Sequence, residues 1–390
     1  MKNKAVVVGG SSGVGLVAAS LMVDQGWKVI IVDKTPPLNE SLEQSDDIEY
    51  KYCDLLEYDR NLFGAFSNED DVKCLLITAG IGKVCSFEYL HTSEIENTVT
   101  VNTTATLKII NQFYSRINSD NDFYCGIISS IAGHVSSPLF ATYAATKAAL
   151  SRFIESVNIE LEYKGLTNRI LDISPGNIKG TRFYGADGID EDSILPIAED
   201  ILASLKNKDT LLIPDYDKTY KSVLNRYKMN PHKFGLQSME YKQDSGRAVE
   251  HHTARIGYLS GTFDLFHIGH LNLLKRAKRS CDYLVVGVHS SGAWKGKETF
   301  IPLNERKEIL KALRFVDEVI DAPDEDSDAW NLVKYNYLFV GSDYQGTERF
   351  ERYEKVLGKK GVKIIYFPYT TTTSSTQLRQ AIRDVAKNKV

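Results

Sequence analysis

Apolar and polar positions fall into a repeating order along this chain. Short apolar runs alternate with longer stretches of helical period, the pattern of strands buried beneath helices. Lys4 to Val8 is the first apolar run, and a helix is predicted from the glycine-rich turn after it to about Gln25. Lys28 to Val32 predicts a second strand ending at Asp33, and Thr210 to Ile213 a strand stopped by Pro214. From Asp215 to about Ala254 the order breaks. Charged and aromatic residues mix there, a short helix is predicted over Thr219 to Tyr227, and Gln237 to His252 reads as linker. The alternation then resumes with an apolar run, Ile256 to Leu259, and a helical stretch, Leu271 to Ala277. At 390 residues two domains are expected, both α/β: 1–235 with a C-terminal extension, a linker over 236–254, and a smaller domain over 255–390.

Two strand-to-helix turns carry candidate chemistry. In Gly9-Gly10-Ser11-Ser12-Gly13-Val14-Gly15, glycines at 9, 13 and 15 permit a tight turn and let backbone N–H groups approach a pyrophosphate. Asp33, at the end of the second strand, is placed to accept hydrogen bonds from an adenosine ribose and to repel a 2′-phosphate, with Lys34 softening that repulsion. In the second turn, His267 and His270 stand where a strand gives way to a helix N-terminus. Free N–H groups and partial positive charge there suit phosphate, and imidazoles add donors without a permanent charge.

The spacing of the first turn resembles the Gly-x-x-x-Gly-x-Gly loop of the short-chain dehydrogenases, and further landmarks follow in family order. They are Asp54, Thr78-Ala79-Gly80 (Thr where the family has Asn), Asn102, Ser130 in Ile127 to Gly133, Tyr143-Ala144-Ala145-Thr146-Lys147, and Ser174-Pro175-Gly176. With 21 tyrosines, about one Tyr-x-x-x-Lys arises by chance, so the weight rests on the whole set at family spacing. A lysine one helical turn after a tyrosine shares its face and favours the phenolate of a group whose free pKa is about 10. The resemblance implies a Rossmann-type doubly wound parallel sheet and carbonyl–alcohol hydride transfer, with NAD(H) favoured over NADP(H). It implies Tyr143 as acid or base, Ser130 on the substrate oxygen and Asn102 holding a relay water. Lys147 binds the nicotinamide ribose, and Gly9, Ser11, Ser12, Gly13, Gly15, Asp33, Asp54, Ala79 and Gly80 hold the cofactor. Lys179 and Arg182 follow Pro175-Gly176 and His134 follows the serine strand, a set that suits a phosphorylated substrate or stands as ordinary loop charges.

The second turn, Gly261-Thr262-Phe263-Asp264-Leu265-Phe266-His267-Ile268-Gly269-His270, closely resembles the nucleotide-binding signature of the cytidylyltransferases, above all the glycerol-3-phosphate cytidylyltransferase family. The likeness continues through Asp282 to Val288, Asn304-Glu305-Arg306-Lys307, Phe315 to Ile320, Gly341 to Tyr344 and Ser374 to Arg379. It implies a Rossmann-like nucleotidyltransferase domain of the His-x-Gly-His type. CMP would pass from CTP, with Mg²⁺, to a substrate phosphate as pyrophosphate leaves. Implied nucleotide contacts are Gly261, Thr262, Phe263, His267, His270, Lys295 or Lys297, Arg306, Asp343, Ser374, Ser375, Thr376 and Arg379.

Composition narrows the picture. A net charge of −4 speaks against a general nucleic-acid or anionic-membrane binder, and no apolar run approaches a membrane span. A strand begins almost at once, so no signal peptide is expected, and five scattered cysteines fit reduced thiols in the cytoplasm. Adjacent His251 and His252 read as solvated, and no metal site made by protein alone is expected. The expectation is a bifunctional enzyme that reduces a ketose phosphate to a polyol phosphate and converts that to a CDP-polyol for a surface polymer, self-associating as both families often do. Three alternatives stay open: the reverse order of steps, ATP in place of CTP, and a first domain that binds NAD without turnover.

Overall fold

The computed structural model describes residues 2–38, 45–90, 92–178, 181, 183, 190–244, 255–291, 299–368 and 378. The chain divides into two compact units, Met1–Glu250 and His251–Val390. In the first, β1 (Lys4–Val8), β2 (Lys28–Asp33), β3 (Ile48–Tyr52), β4 (Val72–Ile77), β5 (Tyr124–Ile128), β6 (Ile170–Ile173) and β7 (Leu211–Leu212) form one sheet. Their order is β3-β2-β1-β4-β5-β6-β7, and every pairing is parallel. Side chains alternate across a strand, so the all-apolar β1 feeds two cores. Val6 and Val8 pack on one face with Phe63, Ile109 and Phe113, while Ala5 and Val7 pack on the other with Val17, Ile194 and Ile201.

The second unit repeats the principle on a smaller scale. Strands β8 (Ile256–Gly261), β9 (Tyr283–Val288), β10 (Glu318–Asp321), β11 (Tyr337–Gly341) and β12 (Lys363–Phe367) order as β10-β9-β8-β11-β12, again all parallel. Leu259, Val286 and Val288 pack on one face with Leu274 and Leu310, and Tyr258 and Val285 pack on the other with Tyr335 and Tyr353. Both sheets therefore have the doubly wound form expected. In each, the strand order reverses beside the first strand, between β1 and β4 and between β8 and β11, and ligands bind such sheets in the crevice at that reversal.

The region between the sheets differs from the sequence expectation. A helix, Pro231–Asp244, runs through residues placed in the linker, and Lys242 on it donates to Ser137 Oγ at 2.6 Å and to the Pro138 carbonyl at 2.8 Å. Polar composition suggested linker, yet the helix also sets Phe234 edge-on to the Tyr227 ring, 5.6 Å between ring centres. The short helix predicted over Thr219 to Tyr227 is found as Lys221–Met229, preceded by a π-turn, Tyr216–Tyr220. Among the described residues no helix is long and apolar enough to cross a membrane.

Candidate active sites

Beyond β1 the chain turns through Gly9, at φ +86°, where a Cβ would lie 2.5 Å from Ala79 N. Only glycine fits there, and a Cβ at Gly15 would likewise collide with Thr78 Oγ1. Thr78 Oγ1 donates to the Gly9 carbonyl at 3.0 Å, so threonine fills the supporting role at this position. Ser12 opens the helix Gly13–Asp24 without a side-chain cap, which leaves the helix start to a ligand. Asp33 closes β2, its carboxylate accepting from Ser11 N at 3.2 Å and Thr35 N at 3.3 Å. These residues border a cavity of about 720 Å³ that also reaches Asp54, Ala79, Gly80, Ser130, Tyr143 and Lys147. Asp54 in addition caps the turn Leu55–Glu57 by accepting from Leu56 N at 3.0 Å.

Tyr143 and Lys147 lie one turn apart on the helix Ala141–Tyr163, with Lys147 Nζ 5.6 Å from the Tyr143 ring centre. Lys147 is 2 % exposed and donates to the Ile128 carbonyl at 2.7 Å. Burial pushes its ammonium down from 10.5 to about 8, partly opposed by the charge of Asp172. The unfolded chain holds that proton more tightly, so this group's contribution to stability rises as pH climbs from about 8 to 10.5. Phe140 stacks on Tyr143 at 4.1 Å between ring centres, and Phe183 tilts against it at 5.3 Å. Ser130 lies just beyond β5 and caps the turn Ile131–Gly133; it is buried, donating toward the Pro175 carbonyl at 3.4 Å and accepting from Ala132 N at 3.1 Å.

Two expected site residues are held by hydrogen bonds within the protein. The Asn102 side chain exchanges hydrogen bonds with Ile81 N and O, both at 2.8 Å, and donates to Thr146 Oγ1 at 3.0 Å. Its amide thereby fastens the segment after β4 to the Tyr143 helix. His134 Nε2 lies 2.8 Å from Ser174 Oγ, which ties the ring into a cluster behind the serine strand. Lys179 and Arg182 fall outside the described residues.

Sequence reasoning missed Phe183, which lines the cavity, and Phe140, which stacks on Tyr143, and it missed Tyr220. A Cβ on Gly176 would collide with the Tyr220 hydroxyl and ring. Gly176→Ala is expected to cost about 1–3 kcal/mol, and Tyr220→Ala in the same chain to recover most of it. Denaturant unfolding of the two variants checks this.

In the second unit, β8 ends in a loop with left-handed backbone at Phe263 and Leu265, both at φ 51°. Non-glycine residues enter that region at about 1–2 kcal/mol, and burial of the Phe263 ring in the core offsets it. Phe263, expected at the nucleotide, thus gives its side chain to packing. His267 caps the helix Ile268–Arg279, its Nδ1 accepting from Gly269 N at 3.0 Å. That bond fixes the neutral tautomer with its proton on Nε2. Burial lowers the His267 pKa, favouring the neutral ring. His270 stacks against it at 4.0 Å. Asp343 is exposed just beyond β11, across the strand-order reversal from β8.

Arg306 requires a correction. It was expected at the nucleotide, but it is 1 % exposed and donates to four carbonyls: Ile301, Thr262, His289 and Ser290. It is a clasp joining the ends of β8 and β9. Arg306→Met would strand those carbonyls and is expected to destabilise the second unit by roughly 3–5 kcal/mol, read as loss of its unfolding transition at the wild-type temperature. Asp264, given no role from sequence although it sits inside the quoted stretch, is 2 % exposed. It accepts from Phe300 N at 3.1 Å and Ile301 N at 2.9 Å, tying the segment before the helix Leu303–Lys311 to the loop that follows β8. Lys295, Lys297, Ser374, Ser375, Thr376 and Arg379 fall outside the described residues. Among the described residues no cluster of three or more metal-ligating side chains occurs.

Comparison with known proteins agrees with both halves. Residues 3–191 match the family described as short chain dehydrogenase, and residues 258–381 the family described as cytidylyltransferase-like. Glycerol-3-phosphate cytidylyltransferase of Bacillus subtilis (strain 168) is 35 % identical over 126 residues, which span 31 % of this chain and 92 % of that protein. A Helicobacter pylori (strain J99) protein named "Probable short-chain type dehydrogenase/reductase VdlC" is 28 % identical over 187 residues, 45 % of this chain and 65 % of that protein. A solved short-chain dehydrogenase from Sphingobium yanoikuyae in complex with NADPH is 20 % identical with a TM-score of 0.49, covering 60 % of this chain and 95 % of that one. The chain belongs to the cytidylyltransferase-like family through its second unit and carries a short-chain dehydrogenase as its first. It is an enzyme of two classes, an oxidoreductase that binds NAD(P) and a nucleotidyltransferase that uses CTP.

Proposed function

We propose that this chain makes a CDP-polyol in two steps: NAD(P)H-dependent reduction of a ketose phosphate to a polyol phosphate, then transfer of CMP from CTP to that phosphate with release of pyrophosphate. The observation that carries this reading is the pairing of an alcohol-forming unit with a transferase whose relative is named for a polyol phosphate. The product of the first reaction is the acceptor class of the second. A surface polymer would be the destination of such an activated polyol.

In the reductive direction the substrate carbonyl would lie against Tyr143, with Ser130 donating a hydrogen bond to its oxygen. The bound nicotinamide supplies the hydride. Tyr143 gives its proton to the oxygen as the alcohol forms, and the Lys147 ammonium lowers the cost of the phenolate left behind. The Asp33 carboxylate, fixed by two backbone N–H groups, favours a free ribose 2′-hydroxyl over a 2′-phosphate and so supports NAD(H). In the transferase, His267 and His270 donate to triphosphate oxygens as the acceptor phosphate attacks the α-phosphorus. Mg²⁺ would arrive with the triphosphate.

The test is pyrophosphate release from CTP with a panel of polyol phosphates from three to six carbons, each run beside NADH oxidation by its matching ketose phosphate. One matched pair active in both assays is the expected result. Activity with a sugar or ketose phosphate as CMP acceptor, and none with any polyol phosphate, would reverse the order of steps.

A further inference from the structure

The helix Pro231–Asp244 lies along the segment that leads into the Tyr143 helix and meets it at two places. A Cβ on Gly235 would lie 3.2 Å from Ser136 Oγ. About two turns further along, on the same face, Lys242 Nζ donates to Ser137 Oγ at 2.6 Å and to the Pro138 carbonyl at 2.8 Å. What Lys242 grips there is a turn of defined type. Phe140 N donates to the Ser137 carbonyl at 3.1 Å, Pro138 stands second in the turn, and Leu139, third, has φ +60°. These are the marks of a type II turn, which favours glycine at its third position. A leucine is strained there. Types I and II differ by a flip of the central peptide, and the oxygen of that peptide is the Pro138 carbonyl. Type I would relieve Leu139, so the flipped peptide has to be held. Lys242 Nζ holds the Pro138 carbonyl, and Cys85 N donates at 2.8 Å to the Leu139 carbonyl that follows.

The turn matters for what it delivers. Phe140 is buried, stands just before the helix Ala141–Tyr163, and accepts from Ala144 N at 2.9 Å. Its ring stacks on Tyr143 with 4.1 Å between centres and 15° between planes. A Cβ on Gly82 would lie 2.6 Å from the Tyr143 ring and 2.9 Å from the Phe140 ring, so the pair is pressed against the segment after β4. A ring wedged in this way has one place for its hydroxyl. We infer that Lys242 is a positioning residue of the dehydrogenase: it holds the Ser137–Phe140 turn in its type II form and so fixes Phe140 against Tyr143. This rests on the proposed reduction, with Tyr143 as its proton donor.

The test uses the full chain and two readouts. Hydrogen exchange of the peptide from Ser137 to Ala144, followed by mass spectrometry, needs no substrate. NADH oxidation with the ketose phosphate that the wild type reduces fastest reports catalysis. Lys242→Met keeps most of the stem and removes the grip. It should exchange faster in that peptide and lose about 10-fold or more in kcat, with KM for NADH and the rate of CMP transfer unchanged. Leu139→Gly suits a type II turn without help. Alone it should stay close to wild type, and in the Lys242→Met chain it should restore both exchange and kcat. A lysine that contributed only charge or packing would gain nothing from glycine at 139. Unchanged exchange and kcat in Lys242→Met overturn the inference. A raised KM for the ketose phosphate that Leu139→Gly fails to restore overturns it as well, by making Lys242 a substrate contact. A Tyr143→Phe chain that keeps its rate overturns the Tyr143 reading instead, and the exchange and its rescue then decide by themselves what Lys242 does to the turn. Lys242→Ala is the second variant should methionine disturb folding, with the same expected results. If neither variant folds, Lys242 is a folding element and the inference fails.

Discussion

Tyr143→Phe is expected to lower NAD(P)H oxidation by about 10²–10⁴-fold, the usual worth of a positioned acid or base, while CMP transfer from CTP stays at the wild-type rate. The substitution removes one oxygen and keeps the ring. The stack on Phe140 and the contact with Phe183 are ring contacts, so the cavity wall should survive. Unfolding free energy should accordingly change by no more than about 1 kcal/mol. The paired assay is NADH oxidation beside pyrophosphate release on the same preparation. If the first persists within a few-fold of wild type, another group donates the proton. If both fall together, the substitution acts on folding and says nothing about the acid.

The second large effect belongs to His267, and its cap allows structure and chemistry to be separated. Asparagine can cap a helix through its side-chain oxygen as the His267 Nδ1 does now, but it lacks the donor at the Nε2 position. His267→Asn is expected to leave stability within about 0.5 kcal/mol and to lower CMP transfer by about 10²–10³-fold, the cost of removing one preorganised donor. His267→Ala should lose the rate and about 1 kcal/mol of stability together. The pH dependence has a definite sign. Burial lowers the folded-state pKa below 6.5, so the unfolded chain binds this proton more tightly. The stability contributed by the neutral ring is present above 6.5 and is lost as pH falls through the folded-state value. A variant that loses stability but keeps its rate would make His267 a cap and nothing more.

Much of this enzyme is local, and what is local was legible in the chain. Val8, Gly9, Gly13 and Gly15 lie within one strand–turn–helix, so spacing alone fixes which N–H groups face the cavity. Tyr143 and Lys147 share a helical face because four residues make about one turn, and His267 and His270 meet because three residues nearly do. The runs of β1, β2, β8 and β9 are apolar enough to be buried on both faces, and that dictated two doubly wound sheets.

Only the tertiary structure decided where distant polar groups meet. Arg306 was expected at the nucleotide because it matches a family arginine, but four carbonyls from three segments converge on it. Asp264 reaches Phe300 and Ile301, Asn102 reaches Thr146, and Asp172 reaches Ser129, contacts between residues 36 or more positions apart. A periodic pattern records which face of an element is apolar. It holds no record of which donor a buried carboxylate will find, because that depends on how two elements are brought together in space. The polar helix Pro231–Asp244 shows the same limit: its sequence has the composition of a linker, and the bonds from Lys242 to Ser137 and Pro138 exist only once the loop leading into the Tyr143 helix has taken its place.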